Sequence, residues 1–238
     1  MSNPVYKRVL LKLSGEVLAG EQGFGIDPNK ASVLANEIKS IYNLGIDIGV
    51  VIGAGNIFRG INAASRGMDR VTGDYLGMLA TIMNAIAMQD ALENIGCDTR
   101  TLSAISVNKI SEPYIRRRAI RHLDKNRIVI IAGGTGNPFF STDSAAALRA
   151  IELGADILLK GTKVDGVYNM DPVKNGDAKK YNTISYKKVL DDNLRIMDMT
   201  AITLCRENSL PIKVFNINNS GDLKQIVTGG NIGTLVSE

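Results

Sequence analysis

Short β-branched and leucine-rich runs alternate with longer helical patterns along the whole chain, and this alternation leaves few architectures open. Val9 to Leu13, Ile46 to Ile52, Ile128 to Ala132, Ile157 to Leu159 and Ile212 to Phe215 are almost continuously apolar. Strands of that kind are covered on both faces, as in a largely parallel sheet flanked by helices. Asp27-Pro28 reads as an N-cap followed by proline at the first helical position, and Leu34, Ile38 and Ile41 continue as an apolar stripe. A helix from about Pro28 to Asn43 follows. A second runs from about Gly73 to Asn94, with Leu76, Leu79, Met83 and Ile86 at helical spacing and its methionines read as packing residues. Residues Met170 to Tyr181, with Asp171-Pro172, Asn175-Gly176 and several lysines, read as a polar loop or lid.

The fold class expected is therefore α/β. A chain of 238 residues without repeat, low-complexity stretch or proline-rich linker reads as one domain, 1–238, able to bury its core without a disulfide or metal staple. Its formal charge of +4 is modest and the cations are dispersed except at Arg116-Arg117-Arg118, which reads as a solvated helix face, so a nucleic-acid partner is disfavoured. A mild positive balance suits phosphorylated substrates. Cys97 and Cys205 lack metal-type spacing and read as reduced thiols. No apolar run approaches the ~20 residues of a membrane span, and the amino end lacks the pattern of a cleaved leader, so a cytoplasmic location is expected.

Four segments carry chemistry. In Leu10-Leu11-Lys12-Leu13-Ser14-Gly15 a lysine interrupts an apolar strand. It faces either solvent at a strand end or a phosphate, and the small residues after it would let the backbone approach phosphate oxygens. In Ile52-Gly53-Ala54-Gly55-Asn56 a buried strand runs into glycines, with Arg59 just beyond as a bidentate phosphate partner. The third segment, Gly133-Gly134-Thr135-Gly136-Asn137-Pro138-Phe139-Phe140-Ser141-Thr142-Asp143-Ser144, ends a strand in glycines and opens a helix, with Thr142 or Asp143 as its cap. Asp143 is either a plain cap or a partner for Lys12, and both roles can coexist. In the fourth, Lys160-Gly161-Thr162-Lys163-Val164-Asp165-Gly166-Val167-Tyr168, lysines stand close to an aromatic, as suits a nucleotide.

Some classes are excluded. The chain contains no Gly-Lys dipeptide, so a Walker-type phosphate loop is ruled out. Its single histidine, His122, reads as a surface residue and precludes a histidine-based zinc cluster. Gly53-Ala54-Gly55 lacks the third small residue and immediate helix of a dinucleotide-binding turn.

The motifs KLSGE, GFGID, GVVIGAGNIFRG, GDYLGMLATIMNAIAMQDAL, GTGNPFFSTDSAA, KGTKVDGVY and MDMTA, in this order from about Lys7 to Val236, resemble those of the bacterial UMP kinases, a branch of the amino-acid kinase superfamily. The resemblance implies a three-layer α/β/α sandwich with a central, mainly parallel sheet of about eight strands. UMP would bind toward the amino-terminal half and ATP toward the carboxyl-terminal half. It implies a catalytic set of Lys12, Arg59, Asp143 and Asp198, the two carboxylates orienting lysine and metal-bound phosphates. UMP would be held by Ala54, Asp74 (at the ribose hydroxyls), Thr135, Gly136, Asn137, Pro138, Phe139, Phe140, Ser141 and Thr142. ATP would be held by Lys12, Leu13, Ser14, Gly15, Gly55, Arg59, Thr162, Tyr168 and Asp171, with Mg2+ entering on its phosphates and no metal site built from the protein. Gly20, Glu21, Gln22, Gly23, Phe24 and Gly25, with Arg100 and Arg127, resemble the part of the family that binds regulatory GTP between subunits. The expected partners are UMP and ATP, GTP and UTP as effectors, and further copies of the chain, typically in a hexamer. Ala54 departs from a triplet that is often three glycines in the family.

The competing readings are another amino-acid kinase with a carboxylate, carbamate or different phosphate acceptor, a nicotinamide-binding protein, and a nucleic-acid-binding protein. The expected chemistry is in-line phosphoryl transfer, which needs positioning and charge neutralisation more than a strong base.

Overall fold

The computed structural model describes residues 3–21, 23–58, 67–172 and 174–238. Strand β1 (Arg8–Leu13) leads through a 3₁₀ turn (Gly15–Leu18) to α1 (Pro28–Tyr42), β2 (Asp47–Ile52), α2 (Arg70–Asn94), β3 (Thr99–Ser103) and β4 (Glu112–Pro113). There follow α3 (Arg116–Leu123), β5 (Ile128–Ala132), α4 (Thr142–Leu153), β6 (Ile157–Thr162) and the pair β7 (Val167–Tyr168) and β8 (Lys180–Tyr181). The remainder comprises β9 (Thr183–Ser185), α5 (Tyr186–Asp191), α6 (Met199–Glu207), β10 (Ile212–Asn216), α7 (Asp222–Val227) and β11 (Thr234–Ser237).

Among the described residues nine strands, one more than the eight or so expected, form a sheet in the order β4-β3-β5-β2-β1-β6-β10-β11-β9. Every pairing is parallel except β10 with β11. Parallel neighbours need crossover connections, and the helices that supply them cover both faces. One apolar layer gathers Leu34 and Ile38 of α1, Ile82 and Met88 of α2 and Leu223 of α7 against Val9, Leu11 and Leu13. The other gathers Ala146 and Ala150 of α4 with Ile202 and Cys205 of α6 against Leu10, Val51 and Leu158. Side chains alternate along a strand, so Lys12 shares the face of Leu10, and Lys160 that of Leu158.

Asp27 caps α1 as the sequence predicts, accepting from the Asn29 amide at 2.8 Å, and Pro28 opens the helix. Two expectations fail, and one strand goes unforeseen. The α2 stripe Leu76, Leu79 and Met83 points outward; the buried face carries Met78, Thr81, Asn84, Ala85 and Met88 instead. Polar residues on that inner face hold nearby glycine turns, so hydrophobicity alone mislabels the helix. His122 is buried at 9% exposure, its ring between Glu112 and the Arg127 guanidinium. And β3, a strand invisible to an apolar criterion, buries Thr99, Thr101 and Ser103; Thr99 and Ser103 are accommodated by hydroxyl bonds to the Cys97 and Ile105 carbonyls. The polar segment Met170 to Tyr181 ends in β8, which pairs antiparallel with β7 just before the segment.

Candidate active site

Lys12 and Lys160 are register partners on adjacent parallel strands and project from the same sheet face. Two ammonium groups placed side by side in a mostly dry layer need a counterion. Asp143, in the first turn of α4, supplies it: Oδ1 lies 2.7 Å from Lys12 Nζ and Oδ2 2.8 Å from Lys160 Nζ. Burial alone would raise the Asp143 carboxyl, but the two lysines overcome it and hold the group below its ordinary range. Burial likewise lowers the Lys160 ammonium, with Asp143 opposing. Lys160 also donates to the Ile196 carbonyl. Both lysines stand 9% exposed, so the cluster is sheltered but reachable.

The α4 cap is Ser141, not Thr142 or Asp143: its hydroxyl accepts from the Asp143 and Ser144 amides at 3.0 and 3.1 Å. Because the serine takes the capping role, the aspartate is free to turn inward. The same hydroxyl donates to Asp198, which also accepts from Ser144 Oγ at 2.9 Å and from the Ala201 amide at 2.9 Å as the cap of α6. Asp143 and Asp198 are thus carried by two helix starts locked to each other.

Gly15 and Gly53 bring the ends of β1 and β2 together, the Gly53 amide donating to the Leu13 carbonyl at 2.9 Å. A Cβ on Gly15 would overlap the Gly53 carbonyl and the Asn56 side chain, so only glycine fits. Ser14 stands at the head of the 3₁₀ turn. From α2, buried Asn84 donates to the Gly53 carbonyl at 2.7 Å and exchanges hydrogen bonds with Asn56. Thr81 of α2 accepts from the Gly133 amide at 2.8 Å. One helix therefore positions both glycine turns.

Between these turns opens a cleft of about 490 Å³, bordered by Ala54, Gly55, Asp74, Thr135, Phe139, Phe140, Ser141, Thr142 and Asp198. Asp74 accepts from the Phe139 amide at 2.8 Å. Thr135 and Asn137 close a tight turn, Gly136 has φ +83, and Pro138 is half-buried beside them. A second cleft, about 630 Å³, is bordered by Lys160, Thr162, Tyr168, Asp171 and the Asp192 to Ile196 segment. Tyr168 donates to Asp165 at 2.6 Å, and that bond raises its phenol. Lys160 borders the second cleft, and its partner Asp143 stands between Thr142 and Ser144, which border the first. Arg59 and Gln22 lie outside the described residues.

Within one chain the proposed effector segments do not meet. Gly25 is bonded to Asn56 beyond the carboxyl end of β2, whereas Arg100 is the second residue of β3 and Arg127 precedes β5, at the amino ends of strands running the same way. Lys160, Ser144 and Asn56 stand in the four segments but without an assigned role, and Asn84 stands outside them. Lys160 had a signal: Leu158-Leu159-Lys160 repeats the pattern Leu10-Leu11-Lys12. The two asparagines had none, since only the crossing of α2 over the glycine turns brings them together.

A mainly parallel sheet flanked by helices, with two lysines and a carboxylate clustered beside two clefts, suits a phosphotransferase, and residues 7–216 match the amino acid kinase family. The chain belongs to that family, in its uridylate kinase branch. It is 56% identical over 236 residues to the uridylate kinase of Methylococcus capsulatus, covering 99% of each chain. Among solved structures it resembles the UMP kinase of Bacillus anthracis, with TM-score 0.95, 43% identity and 98% and 96% of the two chains covered. It also resembles that of Ureaplasma parvum, with TM-score 0.92, 37% identity and 98% and 99% covered.

Proposed function

We propose that this chain transfers the γ-phosphoryl group of ATP to UMP, giving ADP and UDP. The observation that carries the reading is the Lys12–Asp143–Lys160 cluster, in which Lys160 borders one cleft and Asp143 is flanked by Thr142 and Ser144 of the other. UMP occupies the cleft of Ala54, Asp74 and Thr135 through Thr142, with its phosphate toward Gly55 and the start of α4. ATP occupies the cleft of Thr162, Tyr168 and Asp171, its phosphates toward Lys12, Ser14 and Gly15. The single-domain organisation, with UMP toward the amino-terminal half, is part of the same reading.

An oxygen of the UMP phosphate attacks the γ-phosphorus; that bond forms while the bond to the ADP leaving oxygen breaks. The acceptor oxygen is already anionic near neutral pH, so no strong base is needed. Lys12 and the glycine-turn amides neutralise charge as it moves, and Arg59 belongs to this set by its motif. Asp143 holds the lysines in place, and Asp198 locks the starts of α4 and α6. Asp143 and Asp198 are already engaged by ammonium groups, hydroxyls and an amide. They suit a metal that arrives on ATP rather than a resident one, so we assign Mg2+ to the ATP phosphates, where it supplies charge neutralisation.

The outward apolar residues Leu76, Leu79 and Met83 of α2 support self-association through this helix, and a hexamer is the expected assembly. GTP and UTP are the expected effectors; the separation of the Gly20 to Gly25 segment from Arg100 and Arg127 means that a site using both draws on two subunits. No helix among the described residues is long and apolar enough to cross a membrane. A cytoplasmic location fits the two free thiols, Cys97 and Cys205.

The deciding experiment is a coupled ADP-release assay with UMP, CMP, acetylglutamate, glutamate, aspartate and carbamate as acceptors. UMP is expected to give the dominant kcat/KM. A preference for any carboxylate or carbamate would overturn the proposal.

A further inference from the structure

We infer that Arg70 is a positioning residue of the acceptor site: it orients the Asp74 carboxylate and the Phe139 turn through which the ribose is recognised. The inference rests on the assignment of UMP to this cleft.

Arg70 opens α2 and Asp74 follows one turn later on the same face. Arg70 Nε lies 2.9 Å from both carboxylate oxygens of Asp74. The Asp74 side chain is only 13% exposed and that of Arg70 42%, so the carboxylate is enclosed while the guanidinium sits at the rim of the cleft. An enclosed carboxylate without a cation would turn toward water. Arg70 removes that incentive and fixes the carboxylate's direction.

The second half of the device is Phe139. Its φ of +71 is a conformation that bulky L residues rarely hold without outside support. Two contacts supply it: the Phe139 amide donates to Asp74 Oδ2 at 2.8 Å, and the Arg70 guanidinium carbon stands 5.8 Å from the ring centroid. Arg70 therefore acts on the cleft twice, through the carboxylate and through the ring. A carboxylate has room for about four hydrogen bonds. Those made to Arg70 and Phe139 leave Oδ1 able to receive a ribose hydroxyl.

The test compares Arg70→Gln and Arg70→Lys with the unaltered enzyme, measuring steady-state kinetics with UMP and calorimetric affinities for UMP and its 2′-deoxy analogue. Arg70→Gln is expected to raise the KM for UMP about tenfold, the usual effect of losing a bond to a charged group, with kcat changed less than about threefold. Affinity for the deoxy analogue should fall less, so discrimination between the two nucleotides narrows. Arg70→Lys should be intermediate, because an ammonium pairs with the carboxylate but lacks the planar geometry that orients it; it carries the test if Arg70→Gln fails to fold. An unchanged KM, or equal loss of affinity for both nucleotides, overturns the inference while leaving the UMP kinase reading intact. An unaltered enzyme that does not phosphorylate UMP overturns both.

Discussion

Lys12 and Lys160 face each other across the β1–β6 pairing, and the single carboxylate of Asp143 serves both. Side by side and mostly out of water, the ammonium groups would repel each other without it. The two ammonium groups and the one carboxylate between them sum to a single positive charge, with Asp198 close enough to act on Lys160.

The two lysines should not be equivalent. Lys12→Met is expected to lower kcat about 10²- to 10³-fold, the usual consequence of removing one donor to a developing charge, in a protein that folds normally. Lys160→Met removes the tie to the Ile196 carbonyl as well as a partner of Asp143, so KM for ATP should rise together with a fall in kcat. Steady-state kinetics in both substrates checks this; a Lys12→Met enzyme with near-native turnover would refute the assignment.

Acid stability should carry the mark of Asp143. Its folded carboxyl is held below the ordinary 3.8, so as pH falls the unfolded chain takes up the proton first. The contribution is fully present above about pH 4 and is lost as pH falls through the folded value. Asp143→Asn should flatten this part of the acid-unfolding curve. It should also cost about 3–5 kcal/mol near neutral pH, because two buried ammonium groups lose their counterion. Chemical denaturation at a series of pH values measures both effects.

The outward stripe of α2 predicts an assembly. Leu79→Asp, at a position 44% exposed, should leave the fold of the single chain unchanged and shift the protein to a smaller species in size-exclusion chromatography with light scattering. An unaltered elution and mass for this variant would remove α2 from the interface.

Both thiols should resist modification in the native protein. Burial raises Cys97 and pushes Cys205 up to about 12, so little thiolate exists at neutral pH. Titration with a chromogenic disulfide reagent should be slow until denaturant is added, and then stoichiometric for two thiols per chain.

The expected strands map onto β1, β2, β5, β6 and β10, because strands covered on both faces must be apolar throughout and such runs are visible in any sequence. The start of α1 was equally legible, since Asp27 and Pro28 act within a single turn. β3 was not: it is polar at Thr99, Thr101 and Ser103, and Thr99 and Ser103 bond carbonyls that only the folded chain brings alongside them. The outer stripe of α2 misled for the converse reason, as periodicity shows that a helix has an apolar side but not which side the sheet will take.

For the site, the order of motifs in the chain was enough to indicate phosphate chemistry: glycines at strand ends, a lysine in an apolar strand and a capped helix start are local features with local causes. Which groups answer one another was decided by tertiary structure. Register across a parallel pair put Lys160 beside Lys12, capping by Ser141 freed Asp143 to lie between them, and Arg70 met Phe139 from across the cleft. Such pairings join residues far apart in the chain, and no periodicity records them; they exist because packing the two helical layers on one sheet forces those particular side chains into the same small volume.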